Sequence, residues 1–175
     1  MNIEFLLLVA DYFKTLSKRD RNLDWVLSLI ISIVCFIIIF KTEGCIDQVR
    51  DILLKFSESV VSLCGVLIGF SIATITILVS TNSVNIEEIK NKKLNIYIGN
   101  QQISLFDLMI INFTYSVVIE GLLLLFNFII TISASKIQSI TMLNALNAIN
   151  ILIISHIILL TIRNIVNFYF VLIKK

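Results

Sequence analysis

Residues 105–130 read LFDLMIINFTYSVVIEGLLLLFNFII, and how this run is read decides the fold. Asp107 and Glu120 are its only charged residues. At roughly 1.5 Å per residue, 26 helical residues reach about 39 Å, more than the ~30 Å of a bilayer's hydrocarbon core. A strand of that length is far outside the usual range, and a soluble core helix seldom stays apolar for so long. The run reads as a transmembrane helix. Ser104 and Asp107 in S-x-x-D spacing predict a capping box at its start.

The rest of the chain agrees. Of 175 residues, 58% are apolar and 15% charged, against about 45–50% and about 25% in ordinary globular domains. Mean hydropathy is +0.98. One small core cannot take in that much apolar surface and leave water a polar exterior. A soluble domain, a disordered chain and a disulfide scaffold are thereby excluded. A net charge of +2 is too weak to bind nucleic acid electrostatically. Cys35, Cys45 and Cys64 form no C-x-x-C or Cys/His spacing, so no metal and no cofactor is expected. Isoleucine, asparagine and lysine together fill 59 positions, as in AT-rich bacterial genes.

Working outward, four spans are predicted, near residues 23–40, 60–79, 105–130 and 141–173, forming a four-helix membrane domain over 23–173. The first opens with Asp24 as cap and Trp25 as interfacial anchor, and closes at Lys41 and Gly44. Ile46 to Phe56 is amphipathic and extends the second span into one helix of some 34 residues. Residues 1–22 carry Phe5, Leu8, Val9, Tyr12, Phe13 and Leu16 on one face. They read either as an amphipathic helix in the membrane interface or as a helix packed on the end of the bundle. In the polar connection, 80–104, Asn85 and Glu88 are expected to cap a short helix. Leu94, Ile96 and Ile98 then alternate with polar residues before Gly99-Asn100, which predicts a small β-hairpin. The chain is thus an all-α integral membrane protein with one hairpin between spans two and three. Ten lysines and arginines fall on the side of the termini and that connection, against four on the other. This predicts both termini and the hairpin on the cytoplasmic face of a bacterial inner membrane.

Polar residues inside the spans point to function. Asn112, Ser116, Glu120 and Asn127 fall within an arc of about 80° on the third span, and Thr131 extends it. A carboxylate at mid-membrane costs about 2.5–3.5 kcal/mol on insertion scales. The stripe therefore faces protein or water, as a hydrated path, a titrating site or an interhelical hydrogen-bond seam. His156, Arg163 and Asn167 form a matching face on the fourth span. With a hairpin turning near Lys136, Glu120 is expected to pair with His156 and Asp107 with Arg163. Aromatics Phe168 to Phe170 followed by Lys174 and Lys175 mark the cytoplasmic boundary. Asn144, Asn147 and Asn150 are placed at the outer headgroup level. Gly65, Gly69 and Ala73 in four-residue steps present a small-residue face for packing of helices in one bundle or between copies.

No catalytic motif is present: there is no P-loop, zinc signature, G-x-S-x-G or dinucleotide fingerprint, and enzymatic activity is not expected. The leading expectation is a homo-oligomeric protein that forms or gates a membrane conduit or lesion. In architecture alone it resembles compact multi-span membrane effectors of bacterial phage-defence and toxin systems. The first alternative is a non-conducting anchor that recruits a cytoplasmic protein through 80–104, with Glu87, Glu88, Lys90 and Tyr97 as contacts. The second is a proton-coupled transporter of small solutes using Glu120, against which stand the unbroken, proline-free helices.

Overall fold

A computed structural model of the chain describes residues 4–15, 17–41, 45–81 and 83–173. Leu16, Gly44, Lys174 and Lys175, named above as a face residue, a helix stop and a boundary pair, lie outside them. The chain is helical apart from one hairpin. Its order is α1 (Glu4–Thr15), α2 (Lys18–Lys41), α3 (Ile46–Ser80), α4 (Val84–Asn91), β1 (Lys93–Ile98), β2 (Gln101–Ser104), α5 (Leu105–Ser133), a 3-10 turn (Ala134–Lys136) and α6 (Ile140–Ile173). Three helices, α3, α5 and α6, are long and apolar enough to cross a membrane; the apolar stretch of α2, Asn22–Ile38, is shorter.

Local chemistry sets most boundaries. At the start of α5, Asp107 N–H donates to Ser104 Oγ at 3.1 Å and Ser104 N–H to Asp107 Oδ2 at 2.8 Å, closing the capping box. Gly99 takes φ +59° in the two-residue turn between β1 and β2, where a side chain would be strained. Two expected caps are corrected. Ser83, not Asn85, caps α4, accepting from Ile86 N–H at 3.4 Å, because α4 begins one residue before Asn85. Asp24 lies inside α2, which starts at Lys18, and its carboxylate pairs with Arg163 instead.

The bundle is layered as two pairs. α5 packs along α3 and α6 along α2, with α5 and α6 meeting between them. Val60, Cys64, Leu123, Ile154 and Ile157 fill the middle of the α3–α5–α6 core. Leu78, Ile86, Ile89, Met109 and Phe113 fill the end beneath α4, and Val49, Leu53, Ile130 and Leu143 the other. At that far end Arg50 closes the α5–α6 turn: its Nε donates to the Ala134 carbonyl at 3.2 Å and its Nη2 to the Ile137 carbonyl at 3.0 Å. The outer face of α2 exposes Leu23, Val26, Ile30, Ile33 and Ile37. Such a surface suits lipid and not water. Close packing, more than the hydrophobic effect, must then hold the helices together.

α1 sits on the end that carries α4 and the hairpin, packed against α5. Tyr12, 1% exposed, stacks on Tyr115 with ring centroids 3.6 Å apart, and Leu6 and Leu7 remain exposed.

Candidate functional site

The polar residues of α5 point inward. Asn112, Ser116, Glu120 and Asn127 are all buried, and their partners come from α6. Asn127 and Asn150 exchange amide hydrogen bonds, Nδ2 of Asn150 donating to Oδ1 of Asn127 at 2.6 Å and the reverse at 3.1 Å. Nearer the α4 end, Asn164 Nδ2 donates to Ser116 Oγ at 2.9 Å, and Ser116 Oγ donates to the Asn112 carbonyl at 3.1 Å. Interhelical bonds of this kind contribute about 0.6 kcal/mol each on average in a membrane.

Glu120 lies between these two clusters and is 0% exposed. Among the described residues, no group donates a hydrogen bond of ordinary geometry to either carboxyl oxygen. Its neighbours are Cys64 of α3 and Thr161 of α6. The Thr161 hydroxyl already donates to the Ile157 carbonyl at 2.9 Å, so its oxygen can only accept from the carboxyl. That arrangement suits a carboxylic acid with a proton to give and leaves a carboxylate without a donor. Asn144 and Asn147 extend the column towards the turn; both are buried, and the Asn147 amide has no hydrogen-bond partner among the described residues. These asparagines therefore face the interior of the bundle, because α6 enters it from its first turn.

The anticipated pairings are corrected by register. The link after α5 continues through residues 134–139, which moves the turn a few residues past Lys136 and sets Asn127 opposite Asn150 and Ser116 opposite Asn164. Glu120 is thus level with 157–160 of α6, between His156 and Thr161, and it is the helix face, not the level, that gives it Thr161. At about 100° per residue, α6 carries two polar faces roughly 120° apart. One, with Asn150, Thr161 and Asn164, joins the column. The other, with His156 and Arg163, turns to α2. There Trp25 stacks on His156 at 4.3 Å, and neither His156 nitrogen is hydrogen-bonded. Arg163 pairs with Asp24 and donates from Nη2 to Tyr12 Oη at 2.9 Å, while Asp107 is engaged by Ser104. Burial pushes the Tyr12 hydroxyl well above its ordinary pKa, which keeps it a neutral acceptor for Arg163. Asn167 is exposed at the α4 end.

The other singled-out residues lie outside the column. Gly65, Gly69 and Ala73 are exposed on the outer face of α3, and a Cβ added at either glycine would meet no atom within 4 Å. Glu87 and Lys90 are exposed on α4, Lys90 Nζ lying 5.0 Å from the Phe106 ring centroid. Glu88 is exposed at the edge of a cavity where α4 crosses α5, and Tyr97 on β1 is 61% exposed. Among the described residues, no group of three or more His, Cys, Asp or Glu side chains is placed to hold a metal ion. Sequence reasoning missed Asn150, Thr161 and Asn164 as partners of the α5 stripe; their common helical face was the available signal. No family model matches this chain, and no curated protein or solved structure is similar to it.

Proposed function

We propose that this protein is a self-assembling membrane component that forms or gates a conduit, acting as the membrane effector of a bacterial phage-defence or toxin-type system. The observation that carries the reading is Glu120, an acidic side chain sealed inside a polar column with no donor to hold it. A carboxyl with no partner beyond Thr161 adds little packing strength, and its cost is reasonable only where an ion or a proton meets it. In this reading the amide bonds between Asn127 and Asn150 hold the conduit closed. Separation of α5 from α6 would expose the same amides to water as the lining of a path.

In this reading α2 is the fourth crossing helix, α1 lies at the cytoplasmic interface, and both termini are cytoplasmic. Copies associate through the open Gly65–Gly69–Ala73 face of α3, which no part of the bundle's own packing uses. The test is membrane potential, followed with a reporter dye in bacterial cells induced for wild type and Glu120→Gln at matched membrane expression. Depolarisation by wild type, reduced at least tenfold in the variant, is expected. Equal depolarisation by both would remove Glu120 from the conduit.

A second reading is favoured by the exposed Tyr97 beside the outward charges of α4. A non-conducting anchor would present this end to a cytoplasmic protein. Charge reversal at Glu87 or Lys90 would then abolish activity while Glu120→Gln left it intact.

A further inference from the structure

Where α4 crosses the ends of α5 and α6, a cavity of about 570 Å³ opens, a volume typical of small-ligand sites. Its walls are chemically divided. The α4 side presents Glu88 and Lys92; the helix side presents Leu108, Asn112 and Phe170. Glu88 and Lys92 are spaced i, i+4, as helical ion pairs are, yet they form none among the described residues. Asn112 is 6% exposed. Its backbone carbonyl serves Asn164 and Ser116, but its side-chain Oδ1 has no donor. Buried amide oxygens seldom stay unbonded. The cavity therefore offers one anion, one cation and the amides of Asn85, Asn112 and Asn167 beside an apolar wall, with the unbonded Asn112 Oδ1 just behind its surface. It lies where the apolar helices α5 and α6 give way to a polar connection, the depth at which lipid headgroups sit.

We propose that this cavity binds a phospholipid whose headgroup carries a primary ammonium. The ammonium has three N–H donors, enough to serve both the Glu88 carboxylate and Asn112 Oδ1. The phosphate one short linker away meets Lys92, and the acyl chains leave over Leu108 and Phe170 into the bilayer. A trimethylated headgroup has no N–H to give Asn112, and phosphatidylglycerol, though its hydroxyls can donate, brings no positive charge for Glu88. The site thus discriminates by donor count as well as by charge.

The test is native mass spectrometry of the full chain released from bilayer discs holding equal amounts of phosphatidylethanolamine, phosphatidylcholine and phosphatidylglycerol with identical acyl chains. One retained phosphatidylethanolamine is expected, about fivefold over either competitor, as one partly exposed ion pair provides. Glu88→Gln should bring the preference over phosphatidylglycerol to parity while part of the preference over phosphatidylcholine persists, and Lys92→Gln should weaken retention of all three lipids. Glu87→Gln, outside the cavity, should change neither, and unaltered helicity by circular dichroism establishes that each variant is folded. Equal retention of the three lipids by wild type, a preference for phosphatidylglycerol, no retained lipid, or a full preference over phosphatidylglycerol that survives Glu88→Gln would each overturn the proposal. So would complete displacement by an equal concentration of water-soluble O-phosphoethanolamine, since the apolar wall would then have no part in binding.

Discussion

At the scale of single residues, stability and activity are expected to separate at Glu120. A buried side chain kept for packing costs stability when replaced; one without bonds does not. Glu120→Leu should leave the unfolding free energy in detergent unchanged or raise it by about 1 kcal/mol, since it removes a polar group that nothing satisfies. The same substitution should abolish depolarisation. A loss of stability instead would mean that the carboxyl has a structural partner. Asn127 behaves in the opposite sense. Asn127→Leu strands the Asn150 amide and should cost about 1–2 kcal/mol, while Asn127→Leu with Asn150→Leu should recover part of it. Thermal unfolding of the two single variants and the double closes a mutant cycle, with a coupling of about 0.6–1.7 kcal/mol expected.

At the scale of elements, α1 is docked through Tyr12, and its release should depend on pH with a definite sign. The folded-state pKa of Tyr12 is raised above the ordinary 10.0 by burial. The undocked phenol therefore ionises first, binding fewer protons than the docked one, and docking weakens as pH rises past 10. Below that pH the contribution is fully present. Proteolysis of α1 should quicken in alkali, and Tyr12→Phe should remove that dependence while raising neutral-pH cleavage, having lost one hydrogen bond to Arg163 worth about 1–2 kcal/mol. Elements also mark what was legible in the chain itself. The capping box at Ser104, the Gly99 turn and the unbroken helix from Ile46 follow from spacings of a few residues, and all are present. The seating of α6 was not legible. Its register depends on where the link after Ser133 ends, and a helical wheel shows that Asn150 and His156 are polar without showing which neighbour each meets. Asp24 was misassigned for a related reason: its partner, Arg163, is on the last helix, and no local pattern announces it.

For the molecule as a whole, the open face of α3 is where one copy has room for another. Small residues allow close approach of helix backbones, and a larger side chain at Gly65 or Gly69 meets nothing inside the protomer. Gly65→Leu with Gly69→Leu should therefore leave the melting temperature of the isolated chain within a few degrees while abolishing cross-linked dimers and larger species in native membranes. Depolarisation should fall with the cross-links. Retained cross-linking would move the assembly surface elsewhere, with the exposed apolar face of α2 as the next place to look.

The ring of contacts joining Tyr12, Asp24 and Arg163 links positions up to 151 residues apart, and this has a bearing on biogenesis. On the ribosome, α2 carries a short apolar stretch and, near its beginning, an acid made 139 residues before the arginine that pairs with it. Until α6 leaves the exit tunnel, α2 lacks its contact with Arg163 and the stacking of Trp25 on His156. Nascent chains stalled after residue 150 should therefore hold α2 at the insertion machinery, still open to thiol labelling at Cys35, and should release it only once Arg163 has cleared the tunnel. The first helix of the bundle would then be the last to settle in the membrane.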